Sequence, residues 1–461
     1  MKMHKLYHLA AFVYILSLFF CLNLSCKKND TIKTVRAKPE KVLTDKIIGV
    51  GGSQVARLKS IRLDQDTVYV LTESISRLAG EQLIVEEGTL IKLAPGVGIT
   101  VDAGAIFSAN GSVNKPIIFT SNLPAGSKGA SWNGITINGK SFNNVTALNG
   151  DPDDNSGSLQ YVRIEFGNLT LNSVGKGTIV DHIQVSYSDI HPSFNFLGGK
   201  FNAHNLISYA CGGPADFYIT NGFQGKLQFL LAHRHPFFGK RSFSPPNTLT
   251  GLYISNNENN NVSAQPQTSP QISNLTIIGP NDQDGQAISY SDTSAFFYSG
   301  ALVTTGNAGF FIRNTALLGF PSGGWIIGDS NTANKVNFLK AEFTSSHVQS
   351  NLQSRVYYIK TGVYRRYTAT DFILFMEEPR FKNTVVRNSV DFLMTDPFNY
   401  SSPNYVLNDG SPLLSGSDFA GGIFSDPFFE NVSYRGAFGK TSWTVGWTNF
   451  IPLKTQYNEP Q

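Results

Sequence analysis

Cysteine is scarce in this chain: three occur in 461 residues. Two of them, Cys21 and Cys26, stand in or just after an apolar leader, which leaves Cys211 alone in the body. That excludes a disulfide framework and a four-cysteine metal site. Beside Gly212 and Gly213, Cys211 reads as a buried filler, with a catalytic thiolate the poorer alternative. Charge is scarce too, at 15% of residues, too little for a helical protein laced by i,i+4 ion pairs. The formal net charge of +4 falls to about +2 once Lys2 and Lys5 are set aside, because no acid precedes residue 26. Neither that charge nor any basic run interleaved with aromatics points to a nucleic-acid partner. The one long apolar run, Leu9 to Leu22, falls short of a comfortable bilayer span.

What the chain does have is 43 glycines, 34 phenylalanines and many Asn, Thr and Ser residues, a composition of short strands and turns. Its first 25 residues carry a basic start and an apolar middle, the form of a secretory signal. Residues 26–42 are polar and without apolar periodicity, and read as a tether.

The body repeats. LQYVRIEF, VDHIQVSY, AHNLISYA, LQFLLAHR and LYISNNEN place Val162, Ile183, Leu206, Phe229 and Leu252 at intervals of 21, 23, 23 and 23 residues. Leu275 adds a further 23. One short strand and a set of turn residues per unit of this length predict an all-β fold, a right-handed parallel β-helix. Each coil then satisfies its neighbour's backbone at a spacing of about 4.8 Å. A propeller blade needs about twice the period, and a sandwich has no need of equal spacing. The stretch TLIKLAPGVGITVDAGAIFSANGSVNKPIIFTS supplies earlier, shorter coils, punctuated by Gly104 and Gly111.

The expected organisation is a cap over residues 43–79, coils over 80–345 with an inserted loop near 279–305, and final coils with an irregular capping region over 346–461. Residues 349–402 either close the C-terminal end or lie along the side of the stack. ATDFILFMEEPRF fits a short helix or a strand.

GTLIKLAPG, GAIFSANGSVNKPIIFTS, WNGITINGK, DPDDNSGSLQYVRIEFG, GKGTIVDHIQVSYS and the tail SPLLSG, YRGAFG and WTVGWTNF together resemble a family of secreted or lipid-anchored right-handed β-helix proteins common in Bacteroidetes. The resemblance covers residues 80–450 and speaks to fold more than to activity. Leu24, Ser25 and Cys26 resemble a bacterial lipoprotein signal, although Asn23 departs from its pattern. This likeness implies a lipidated Cys26 and an outer-membrane lipoprotein, displayed on the cell surface or facing the periplasm. Relatives often carry an acidic pair at the turn after the coil strand. Here that turn reads Asp189-Ile190-His191-Pro192, and one coil later Cys211 to Asp216, so a simple transfer of a hydrolase or metal-dependent role is disfavoured.

Candidate residues fall into two groups. Asp151, Asp153, Asp154 and Asn155 are the densest oxygen donors and suit calcium, a hard cation, or else an Asx-rich solvated turn. Tyr187, Asp189, His191, Asp216, Tyr218, His233, His235, Phe237 and Arg241 gather over successive coils and form a candidate ligand or partner surface. A shift of 23 residues carries His182 to Asn205 and Gln228, and sets Asp189 and His235 two coils apart, about 10 Å. No acid pair recurs on one face as a glycosidase needs, and His233-Arg234-His235 lacks the further ligands of a zinc site. The expectation is a non-catalytic lipoprotein whose β-helix flank binds or assembles with a surface protein or outer-membrane complex, such as a transporter or secretion machine. The alternative is a polysaccharide-binding or polysaccharide-degrading protein.

Overall fold

In a computed structural model, the described residues are 37–44, 46–48, 54–126, 132–146, 150–236, 249–280, 298–360, 362 and 366–457. Lys38 to Gln456 form one compact unit. Parallel strands coil into a right-handed β-helix with three sides. Sides one and two belong to one continuous 17-stranded sheet, and side three is a separate 10-stranded sheet.

Each side owes its place to inward ladders of apolar residues. On side one, Leu63, Val85, Ala109, Leu159, Val180, Ala203, Leu227, Ile272, Ile312 and Phe343 stack in register. On side three the ladder is Ile75, Ile99, Ile135, Leu169, Phe194, Phe217, Leu252, Leu302, Trp325 and Tyr357, every member nearly or wholly buried. At about 4.8 Å per step, such a ladder runs for roughly 45 Å.

A long strand such as Gly157–Glu165 serves two sides because one residue in it turns left-handed. Tyr161, His182, Asn205, Phe229, Asn274, Asn314 and Ser345 hold this corner with φ between 49° and 59°. Asparagine tolerates that conformation, whereas a bulky residue there costs about 1–2 kcal/mol. The packed stack on both flanks fixes it all the same.

Register revises the repeat series. Val162, Ile183 and Leu206 do stack, but the next rungs are Leu230 and Leu275. Phe229 is the left-handed corner residue, and Leu252 belongs to side three. The coil from Leu230 to Leu275 is about two periods long, so a regular count passes through it and lands on the wrong side. The same slip moves Gln228 into the column of Asp181 and His204.

The boundaries shift as well. Ser60–Leu63, Val68–Leu71 and Ile75–Arg77 already pair as coil strands, so the segment expected as a cap is part of the stack. Even Glu40–Val42, expected within the tether, pairs with side two. Leu302–Thr304, expected in the inserted loop, is a side-three strand; residues 281–297 lie outside the described residues. ATDFILFM is a helix, α2 (Ala369–Met376), closed by a Thr368–Asp371 capping box. A shorter-capped helix, α1 (Ser330–Asn337), precedes it.

The chain after residue 386 runs back over side two as a strap. Buried amide side chains clamp it as a backbone partner would. Gln184 donates to Asn449 O at 2.9 Å and accepts from Asn449 N at 2.8 Å. Gln228 does the same with Glu430, both at 2.8 Å. Asn314 pairs with Asp418 in the same two-way fashion. Trp443 and Trp447 pack edge-on against His182, which itself stacks on Tyr161 at 4.3 Å.

Replacing Gln228 with Ala removes both strap bonds and leaves strap groups unsatisfied, at a cost of about 1–3 kcal/mol. Urea unfolding measures this. The surface change Thr100→Ala, by contrast, stays within about 0.5 kcal/mol.

Candidate functional site

The corner between sides two and three was expected to carry the binding flank. Its polar groups instead form a buried knot. Arg234 donates to Asp216 Oδ2 at 2.7 Å, to the carbonyls of Cys211 and Gly213 at 2.9 Å, and to Thr250 O at 2.6 Å. Ser208 donates to the other Asp216 oxygen at 2.6 Å. Burial pushes the Asp216 carboxyl above its usual range, while the guanidinium and Ser208 pull it back. The Cys211 thiol, pushed up by burial, rests 3.2 Å from Ala215 O and acts as packing.

The knot is a pin that holds successive turns together, and Asp216 is unavailable to a ligand. His233 is also fully buried: its Nδ1 lies 2.9 Å from the Tyr405 hydroxyl of the strap, and burial pulls it down to about 3. Tyr187 is buried and pushed up to about 12. His235 lies partly exposed among Tyr187, Tyr209 and Tyr400, with burial pulling it down to about 4. Asp189 and His191 reach the surface of the corner, and Tyr218 stands on side three. Phe237 and Arg241 lie outside the described residues, as does Cys26. The expected surface is therefore not one site, because inward pins and the strap claim its centre.

The expected calcium ligands serve local turns. Asp151 Oδ1 accepts from Asp153 N at 2.9 Å, Asn155 Oδ1 from Gly157 N at 2.8 Å, and Asp154 Oδ2 from Ser156 Oγ at 3.1 Å. Asp153 pairs with Lys176 at 2.7 Å. Among the described residues, no group of three or more His, Cys, Asp or Glu side chains is arranged to hold a metal.

Side three is different, because its outward row faces away from the strap. In register stand Thr100, Thr136, Thr170, Asn195, Tyr218 and Tyr253, all partly exposed. Asn138, Asn172 and Leu197 form a second, parallel row. Hydroxyl and amide groups thus recur along the axis on a flat sheet. Asn195 donates to Thr170 Oγ1 at 3.2 Å, and Asn172 donates to Asn138 Oδ1 at 3.0 Å. The Thr100 and Thr136 hydroxyls make no hydrogen bond among the described residues. Tyr218 and Tyr253 stack at 5.1 Å with rings 2° from parallel, so they turn edges outward and cover each other's faces.

The inward-outward alternation behind this row was present in ITV, ITI, LTL, FNF and FYI, short triplets hidden between longer strands. The strap gave a weaker signal, in the aromatics of SWTVGWTNF.

A three-sided parallel coil with one open polar flank defines the class: a β-helix protein of the kind that serves polysaccharide enzymes and binders. Residues 55–371 match the pectate-lyase-like β-helix domain, and the chain belongs to that family. No curated protein and no solved structure matched the chain.

Two outcomes follow. Asp216→Asn leaves Arg234 buried with its charge partner removed and costs about 3–5 kcal/mol; the double change Asp216→Leu with Arg234→Met recovers much of this. Thermal and urea unfolding of the three variants measure it. For pH, the folded values of His233 and His347 lie at about 3 and about 4, the second lowered by burial and by Arg435. Both are below the unfolded value of about 6.5. Their contribution is whole above about pH 6.5 and is lost as pH falls toward those folded values, by at most about 1.4 kcal/mol per pH unit for each group. Unfolding at about pH 7 and about pH 4.5 measures the loss, and His233→Phe flattens it.

Proposed function

We propose that this chain is a polysaccharide-binding β-helix protein that holds a glycan chain along side three without cleaving it. The observation that carries this reading is the outward row from Thr100 to Tyr253, an unbroken register of hydroxyls, an amide and phenol edges. Sugar hydroxyls are both donors and acceptors, and a ladder of Thr and Asn side chains offers both. Membership of the pectate-lyase-like family supports a glycan as the ligand class. A holding role is supported by the chemistry of the row, because hydrolysis asks for two carboxyl groups flanking one bond and this row carries none from Thr100 to Tyr253.

Assembly with an outer-membrane complex stood first on sequence grounds. That order depended on an open flank containing Asp216 and His233, which are buried, so the glycan reading moves ahead of it. The setting proposed for either role is a lipoprotein tethered through Cys26 at the outer membrane.

Affinity electrophoresis against a panel of neutral and acidic polysaccharides tests the function. Retardation by at least one glycan is expected, together with a flat reducing-end assay. Thr136→Arg and Thr170→Arg, which plant long side chains across the row, weaken that retardation roughly tenfold, equivalent to about 1.4 kcal/mol. Retardation untouched by both changes removes side three from the account, and new reducing ends overturn the holding role.

A further inference from the structure

Three large apolar side chains stand out beside the two helices that follow the main coils: Phe338, Leu339 and Leu374, exposed by 62%, 56% and 62%. Phe338 and Leu374 line an open groove of about 690 Å³ whose walls also include Tyr367 and Phe375, their rings 5.2 Å apart.

The polar groups of the groove are unevenly engaged. The Asp371 carboxylate is taken by the Thr368 backbone and hydroxyl at the start of α2. Glu378 pairs with Arg380 at 2.8 Å. Asn337 Oδ1 accepts from the Tyr367 hydroxyl at 2.6 Å, which leaves its amide hydrogens unengaged among the described residues. Arg366 lies over the Tyr367 ring, 5.8 Å from its centroid, and makes no hydrogen bond or ion pair among the described residues. What remains free is therefore donor and cation, which calls for an anion rich in acceptors.

Leu339 supplies an independent sign. Lys340 N bonds to Lys335 O at 2.7 Å and Leu339 N to Val336 O at 3.1 Å, the closing pattern of a helix whose next residue turns left-handed. Leu339 occupies that position with φ 56°. Glycine is the usual occupant, and a leucine there is strained. This leucine is also turned to solvent and followed by the exposed Lys340. A strained, exposed apolar residue gains nothing for the core.

We propose that this helical end of the stack docks on an anionic lipid surface. The groove takes a headgroup phosphate on Arg366 and Asn337, while Phe338, Leu339 and Leu374 enter the acyl boundary. Protruding apolar tips beside unpaired cations are the makeup of an interfacial membrane contact. A protein partner would instead want a fitted patch of roughly 800 Å² on each side. The inference is independent of the glycan reading and of any lipid on Cys26.

The test is co-sedimentation of the full chain carrying Cys26→Ser with phosphatidylcholine vesicles, with and without phosphatidylglycerol. Binding at least roughly tenfold stronger to the anionic vesicles, and weakened by salt, is expected. The double change Phe338→Ser with Leu374→Ser, and separately Arg366→Glu, each reduce it roughly tenfold while leaving the thermal midpoint in place. All of these residues are exposed, so the fold tolerates the changes. Failure to bind anionic vesicles, equal binding to neutral ones, or binding untouched by both variants overturns the proposal. So does saturable binding of soluble glycerol 3-phosphate without any vesicle binding, which would make the groove a site for a free ligand.

Discussion

The interaction on which everything else rests is the hydrogen-bond ladder between successive coils. A single coil cannot satisfy its own backbone, so each rung is obliged to lie on the last, in register and at strand spacing. Register then decides which side chains face inward and which face out, with no freedom left to individual residues. Once Leu169, Phe194 and Phe217 lock inside side three, Thr170, Asn195 and Tyr218 must stand outside it in a line. The functional surface is thus a by-product of the core, read from the opposite face of the same strands.

The same constraint creates a difficulty on side two. Ile207, Leu231, Ile278 and Leu318 point outward there and would leave an apolar flank in water. The strap covers it. Its backbone needs partners where no strand is on offer, and Gln184, Gln228 and Asn314 imitate a strand edge with their amide ends. Histidines sit at this seam in neutral form because burial opposes their charge: His233 beside Tyr405, His347 beside Arg435. One flank is therefore closed by the chain itself, and the molecule meets its surroundings elsewhere.

How much of this was legible beforehand depended on period. The spacing of Val162, Ile183 and Leu206 was enough for the fold, because coils of equal length repeat their apolar residues at equal intervals. It failed at Leu252, where a coil of double length kept time with the count while changing sides. Asp216 and His233 looked like surface residues because polar side chains usually are. Their burial follows from Arg234 reaching across a turn and from a strap attached more than 150 residues later, and local sequence records neither. The Thr-Asn-Tyr row was present in plain alternation, yet its strands are only three to six residues long, too short to stand out beside the longer ones.

Hydroxyl-radical footprinting of the folded chain tests most directly which flank faces solvent. Tyr218 on the open side should be oxidised readily, whereas Tyr209, Tyr405 and His233 beneath the strap should stay protected until the protein unfolds. Rapid oxidation of Tyr209 and His233 with Tyr218 protected would mean that the open and closed flanks are exchanged, and the account would fail.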